Sequence, residues 1–406
     1  MKVALVTYAL NIGGLESVLL SLARGLRSHG SESTFVVTDS IGEWHGRPVT
    51  EGFQVESYIP SSWESRIGHA KRLAFFLAQF DVVLLNHSRS GQSSAGLLPD
   101  SSVVLSILHN DDEEIYRVGL TNAGNLDCVV TVGNRVQEEA LRCGINPDKI
   151  VCIRNGVDVF SSYPKKRTNV AEKPLRAIFI GRIFHEQKGV FYLPGILANT
   201  KKNGCAVTLD IVGDGPDLES LRCRVKGEML SEVVCIHGPL LHEKAMEMLA
   251  ESDVILMPSY FEGQPIVLFE AMARGVVPIV SRLNGITDAV IMERENGFLV
   301  DIGDEEAFTS ALSLLTNSQI LDSMSRAAWK AALESFGFEN MVAAYTKVIE
   351  ECRDNRKQGK LPRRSGQLDV TLLGKHPEYP LFMHVLSSKL KKATSGNTGE
   401  RGINGI

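Results

Sequence analysis

Glu262 and Glu270 are separated by seven residues and bracket a change of structural pattern. Before them, the apolar run at 253–258 reads as a buried parallel strand. After them, residues 268–275 read as a helix closed by Gly275. One carboxylate would then lie in the loop at the strand's C-terminal end, where open α/β sheets bind ligands. The other would lie in the first turns of the helix, facing the same crevice. Between them, the amides of Gly263 and Gln264 would open the helix N-terminus toward an anion. Two hydrogen-bond acceptors flanking such amides suit a sugar joined to a phosphate.

Arg182 and Lys188 supply the complementary charge. Arg182 follows the strand-like run 175–180, and Lys188 lies six residues on, in a loop ending at Gly189. Arginine forks onto phosphate oxygens and lysine adds a mobile point charge, so the pair suits a diphosphate leaving group. His109 ends the apolar run 103–108, a strand-end position that favours a site role. Gly13 and Gly14 turn the first strand into a helix and allow a backbone to approach a phosphate closely. Each feature alone has a plainer reading. The cations could be surface charges, Glu270 could favour the helix dipole, and the glycines could form an ordinary turn.

The elements that must position these residues come in two series. Strand-like runs at 2–6, 34–38, 82–85, 103–108, 128–131 and 150–153 alternate with helical stretches such as 16–26, 65–80 and 135–143. A polar, proline-bounded linker at 161–174 follows. The second series has strand-like runs at 175–180, 207–212, 233–236, 254–257, 277–280 and 297–300. This alternation predicts α/β architecture, with two doubly wound parallel sheets and a cleft between them. The expected units are 1–165, 174–335, a helix at 336–352, and a basic, polar tail at 353–406 without fixed structure.

Composition narrows the function. A chain of 406 residues exceeds one ordinary core. Its seven cysteines include no C-x-x-C pair, which favours reduced thiols over disulfides or structural zinc. The N-terminus enters a strand directly, without a signal-peptide pattern, so a cytoplasmic location is expected. The tail carries eleven Lys and Arg against four Asp and Glu. It contributes +7 to a net charge of −5, leaving −12 on the body. An acidic body excludes a nucleic-acid domain. The tail, with an amphipathic stretch at 379–392, suits peripheral contact with an anionic membrane. Asp111, Asp112, Glu113 and Glu114 form an acidic run expected to be solvated, and no metal is expected.

Together these motifs resemble glycosyltransferase family 4, of GT-B fold, over residues 1–350. The likeness rests on Glu262-x7-Glu270, on Gly181-Arg182…Lys188-Gly189, and on Asn155-Gly-Val-Asp158. It extends to Gly213-Asp-Gly-Pro216, Asn296-Gly-Phe-Leu-Val300 and Gly13-Gly-Leu-Glu16. The resemblance implies two Rossmann-like domains and a retaining, metal-independent transfer from a nucleotide-sugar donor to a glycan or lipid-linked acceptor. Polysaccharide or lipopolysaccharide assembly is the implied setting. The donor is a substrate, and no cofactor is implied. Arg182 and Lys188 would hold its phosphates, and Glu270 its ribose. Glu262 and His109 would face its sugar, with Gly13, Gly14, Gly263 and Gln264 as close backbone contacts. Gln264 departs from the small residue usual there, which bears on the choice of sugar. The helix at 336–352 would cross back to the first domain.

Other classes stay open. Gly213-Asp-Gly-Pro216 begins like a dinucleotide fingerprint, but Leu218 occupies the third glycine position and Pro216 crowds the turn. Another GT-B enzyme, such as a sugar-nucleotide epimerase or phosphorylase, and a non-catalytic binding protein of this fold are the remaining alternatives.

Overall fold

Short β-branched runs that stay apolar on both faces suit strands covered on both sides, and the chain folds accordingly. The computed structural model describes residues 1–11, 14–164 and 174–374. The first seven strands are β1 (Lys2–Thr7), β2 (Glu32–Val37), β3 (Gln54–Ser57), β4 (Val82–Asn86), β5 (Val103–Leu108), β6 (Cys128–Thr131) and β7 (Ile150–Cys152). They form one parallel sheet in the order β3-β2-β1-β4-β5-β6-β7. The next six are β8 (Leu175–Ile180), β9 (Val207–Val212), β10 (Val234–Gly238), β11 (Val254–Met257), β12 (Val277–Ser281) and β13 (Phe298–Val300). Their order is β10-β9-β8-β11-β12-β13.

β3 escapes the sequence pattern. Of its four residues only Val55 is apolar, and it lies on the sheet edge with three of its four residues exposed. The central strands β4, β5 and β12 are buried throughout, which is why their apolar runs announce them.

In both sheets the strand order reverses beside the first strand of the unit, between β1 and β4 and between β8 and β11. Loops leaving the C-terminal ends of those neighbours turn to opposite faces and open a crevice. Gly14 opens the helix that follows β1, and the loops after β5, β8 and β11 carry His109, Arg182 and Glu262 respectively. Topology therefore gathers residues that are far apart in the chain.

Helix Phe338–Lys357 joins the two halves. Its Met341, Val342, Tyr345, Val348, Ile349 and Cys352 are buried in the core of the first sheet, although the helix follows the second. Just before it, Val157 N donates to Phe336 O at 2.8 Å and Phe338 N donates to Val157 O at 3.0 Å. The outgoing and returning chains thus cross as a short two-stranded bridge.

The expected unstructured tail from residue 353 needs correction. Residues 353–374 remain on the first domain. Arg356 and Arg364 converge on Asp127, which immediately precedes β6 and is fully buried. Arg356 Nε donates to Asp127 Oδ1 at 2.8 Å, and Arg364 Nη2 donates to Oδ2 at 2.8 Å. Asp127 Oδ2 also accepts Val104 N at 2.8 Å. Leu372 and Leu373 are buried, and Arg66 donates to Leu373 O at 2.6 Å. A charge count cannot see this arrangement, because the partner carboxylate lies more than two hundred residues earlier. The amphipathic stretch at 379–392 lies outside the described residues. Among those described, no helix is long and apolar enough to cross a membrane.

Removing one member of a buried ion cluster leaves the others desolvated and unpaired. Asp127→Asn is therefore expected to lower unfolding free energy by about 3–5 kcal/mol in urea titrations. Lys357→Ala, at an exposed pair with Asp354, is expected to change it by less than about 0.5 kcal/mol. Equal, small effects of the two variants would show that the strap is not anchored through Asp127.

Candidate active site

The cleft between the sheets encloses about 600 Å³. Gly14 and Ser17 line it from the first domain. Gly181, Arg182 and Lys188 line it from the loop after β8, and Glu262, Gln264 and Glu270 from the segment after β11. Of the residues singled out from the sequence, the structure brings Gly14, Arg182, Lys188, Glu262, Gln264 and Glu270 to one cavity. Gly13 lies outside the described residues.

Lys188 ends the short helix His185–Lys188, which Gly189 terminates at φ 63°. A Cβ at Gly189 would lie 1.9 Å from Pro258 O, so only glycine lets the loop after β8 press against the end of β11. Tyr260 N donates to Gln187 O at 2.8 Å, and the Tyr192 and Tyr260 hydroxyls meet at 2.5 Å beside His185. The two loops are thereby fixed to each other.

That junction creates an ion pair not apparent from spacing. Lys188 Nζ donates to both oxygens of Glu262 at 2.7 Å, and Ser259 Oγ donates to Glu262 Oε1 at 2.7 Å. The Glu262 side chain is 5 % exposed and that of Lys188 17 %. Lys188 and Glu262 therefore act as one unit, with Glu262 holding the ammonium in place. Arg182 is exposed, its guanidinium 5.4 Å from the Phe184 ring centre.

The helix carrying Glu270 runs Ile266–Ala273, with Pro265 at its N-cap. Gly263 and Gln264 thus immediately precede the helix, which begins two residues earlier than its sequence pattern predicts. Proline fixes the helix start and has no N–H to offer. Gln264 instead reaches across the cleft, its Oε1 accepting Asn155 N at 3.2 Å. Gly263 faces Asn110, whose Oδ1 would be 2.3 Å from a Cβ there. A side chain at position 263 would displace the Asn110 side chain.

Glu270 lies further along the cleft, its side chain 13 % exposed and its Oε1 3.5 Å from His242 Nε2. Burial holds its carboxyl above the usual range, while His242 and Arg274 pull it back. Beyond Glu270 a second cavity, of about 290 Å³, continues between the domains past Trp44, Arg24 and Asp158. One wall is closed by an interdomain ion pair, Arg47 to Glu243 at 2.5 Å. His242 and Trp44 line both cavities, and nothing in their sequence surroundings distinguishes them.

His109 is 7 % exposed, with Nε2 at 2.9 Å from Asn86 Oδ1. Burial pushes its pKa down to about 3, and the neighbouring His87 adds to this. The imidazole is neutral throughout the physiological range. Buried Glu16 accepts Asn11 N at 3.0 Å through Oε1.

The acidic run is taken up locally. Asp112 caps helix Glu113–Gly119. Arg117 and Arg89 hold Glu114, lowering its pKa to about 2, and Asp111 pairs with Arg135 and accepts the Tyr116 hydroxyl. Among the described residues, Asp210, Cys235 and His237 place ligand atoms within 4.8 Å of one another, on β9 and β10. His237 turns Nε2 to Asp210 at 2.6 Å and Nδ1 to Cys235 at 3.9 Å. The three side chains thus satisfy one another as a hydrogen-bonded row.

Known proteins share both the sequence and the fold. The family described as Glycosyltransferase Family 4 matches residues 12–159, and that described as Glycosyl transferases group 1 matches 164–332. A putative colanic acid biosynthesis glycosyltransferase, WcaL of Salmonella typhimurium, is 26% identical over 306 residues, 74% of this chain and 70% of its own. The UDP-Gal:alpha-D-GlcNAc-diphosphoundecaprenol alpha-1,3-galactosyltransferase of Escherichia coli is 28% identical over 192 residues, 45% of this chain and 49% of its own. The Anabaena protein HepE, solved in complex with UDP and glucose, superposes with a TM-score of 0.72 at 16% identity. That match covers 86% of this chain and all of HepE. Two parallel sheets facing across a cleft, with one matched family segment on each, make this chain a GT-B protein that belongs to glycosyltransferase family 4, group 1.

Proposed function

We propose that the cleft performs a retaining, metal-independent transfer of a hexose from a UDP-sugar to a glycan or lipid-linked acceptor in polysaccharide assembly. The single observation that carries this reading is the cavity shared by Arg182, the Lys188–Glu262 pair and Glu270. Cations at one end suit a diphosphate, and a buried carboxylate further along suits the hydroxyls of a ribose. The choice of UDP draws on HepE, whose complex holds it, and on the galactosyltransferase that resembles this chain. Polysaccharide assembly draws on the colanic acid relative. Catalysis on the inner face of a membrane, with the basic segment after residue 374 as peripheral contact, follows from the acceptor class and the tail's charge.

In this reading Arg182 and Lys188 stabilise charge as the sugar–phosphate bond breaks, while Glu262 keeps Lys188 oriented. Bringing Gly14 and His109 against the donor excludes water that would otherwise hydrolyse it. A nucleotide-sugar epimerase would use the same donor without an acceptor. The second cavity beyond Glu270 lies on the ribose side of the donor, where it leaves room for the base.

Lys188→Ala and Arg182→Ala are each expected to lower turnover of the active UDP-sugar by roughly two orders of magnitude. Loss of exposed Arg182 should leave the unfolding midpoint unchanged, whereas Lys188→Ala, which strips buried Glu262 of its partner, should lower it. Near-normal rates in either would remove it from the phosphate clamp.

Glu270→Gln is expected to weaken UDP binding by about 1.5–3 kcal/mol in calorimetry. Ribose hydroxyls that donate to Glu270 favour its ionised form, whereas burial raises its pKa beforehand. UDP binding to the native protein should therefore release protons, seen as an enthalpy that varies with the buffer's ionisation heat. The terminal phosphate of UDP, drawn to its dianion by the cations, releases protons in both proteins, so the assignment requires a larger release from the native protein; equal release from Glu270→Gln contradicts it.

Because Arg182 and Lys188 already supply the cationic partners, turnover is expected to survive exhaustive EDTA treatment. Loss of turnover restored by Mg²⁺ or Mn²⁺ would assign the phosphates to a metal.

A further inference from the structure

Asn86 determines which hydrogen bond His109 can offer. It ends β4 and is fully buried, and its Nδ2 donates to Leu84 O at 3.0 Å and to Val6 O at 3.3 Å. Reversing the amide would set its oxygen against both carbonyl oxygens, so Oδ1 must be the atom that faces His109. That oxygen lies 2.9 Å from His109 Nε2. An amide oxygen only accepts, so Nε2 carries the ring's proton. The other ring nitrogen, Nδ1, is buried and has no hydrogen-bond partner among the described residues. Burial opposes a second proton, leaving Nδ1 as a bare acceptor. Buried acceptors without partners are uncommon in folded proteins and call for an explanation. The place suggests one. His109 directly precedes Asn110, which abuts Gly263 and so sits beside Glu262, where the strand-end loops of the two domains meet. Next to it, His87 holds a left-handed backbone at φ 51°.

We propose that Asn86 is a positioning residue that locks His109 in its Nε2–H tautomer, so that Nδ1 accepts a hydrogen bond from one hydroxyl of the donor sugar and selects sugars that retain it. The proposal rests on the glycosyltransferase reading of the cleft for the identity of the ligand, while the tautomer stands on the geometry alone. It also restricts chemistry. A ring whose only proton is bonded to Asn86 cannot act as the general acid for the departing diphosphate. His109 therefore orients the sugar. A site built to accept an O–H discriminates strongly, because an analogue lacking the hydroxyl leaves Nδ1 buried and unpaired.

Two measurements on the native protein test this. In ¹⁵N-histidine-labelled protein, long-range proton–nitrogen spectra should show His109 with a protonated Nε2 and a bare Nδ1 from about pH 5 to 8. The signal is identified by its loss in His109→Gln. UDP-glucose, UDP-galactose or UDP-N-acetylglucosamine, whichever binds, should shift the Nδ1 resonance, and UDP alone should not. The second measurement compares binding of that donor with analogues in which each hydroxyl is replaced by hydrogen or by fluorine. Fluorine can accept but cannot donate, so at one position both replacements should weaken binding equally, by at least about tenfold. Binding is read instead of turnover because fluorine also withdraws electrons from the reacting carbon. A protonated Nδ1, or a fluoro analogue that binds normally at every position, overturns the proposal. Asn86→Leu should give a mixed tautomer signal and abolish discrimination at that hydroxyl; if this variant does not fold, the native-protein measurements decide. Should none of the three donors bind, the UDP-sugar reading fails, while the spectrum still settles the tautomer.

Discussion

Helix Phe338–Lys357 follows the second sheet in sequence and is buried in the first. That placement is the constraint on which the cleft depends. Parallel strands deliver their functional loops at C-terminal ends, so a two-sheet enzyme works only if those ends face each other. A flexible linker alone would leave their orientation open. Six side chains of this helix in the first core, with the Val157 bridge beside them, limit the relative freedom of the domains. The strap beyond the helix, fixed through Asp127, extends the same attachment.

Within the frame so set, close approach governs the site. Gly189 lets the loop after β8 touch the end of β11, and Gly263 lets the loop after β11 touch Asn110 of the first domain. Those contacts exclude water, and exclusion changes what charges do. Lys188 and Glu262 form a pair of low exposure, where their attraction exceeds that of a surface pair. The same burial raises the carboxyl of Glu270 and suppresses protonation of His109. The Lys188–Glu262 pair and the protonation states of Glu270 and His109 are thus all set by burial.

Charges elsewhere show the opposite behaviour. Four consecutive acids from Asp111 to Glu114 resemble a cation site in isolation, but nearby arginines and a helix N-terminus satisfy three of them. Asp210, His237 and Cys235 likewise satisfy each other in a row. Residue type suggests chemistry, and the direction in which each polar atom already points decides whether any remains for a ligand.

The sequence by itself determined the doubly wound architecture, because strands covered on both faces must be apolar throughout, and this pattern is local. It determined the site loops as well, since glycine and charged residues at strand ends are fixed by short-range spacing. β3 was illegible because an edge strand with one apolar residue has no such pattern. Only tertiary structure decided that Lys188 pairs with Glu262, that Gln264 reaches Asn155, and that His242 stands opposite Glu270. It alone also brought Arg356 and Arg364 to Asp127, turning an expected free tail into an anchored strap as far as residue 374. Each of these joins residues separated by tens to hundreds of positions. Local spacing records which element a residue belongs to, whereas long-range partners are set by the order and crossing of the strands.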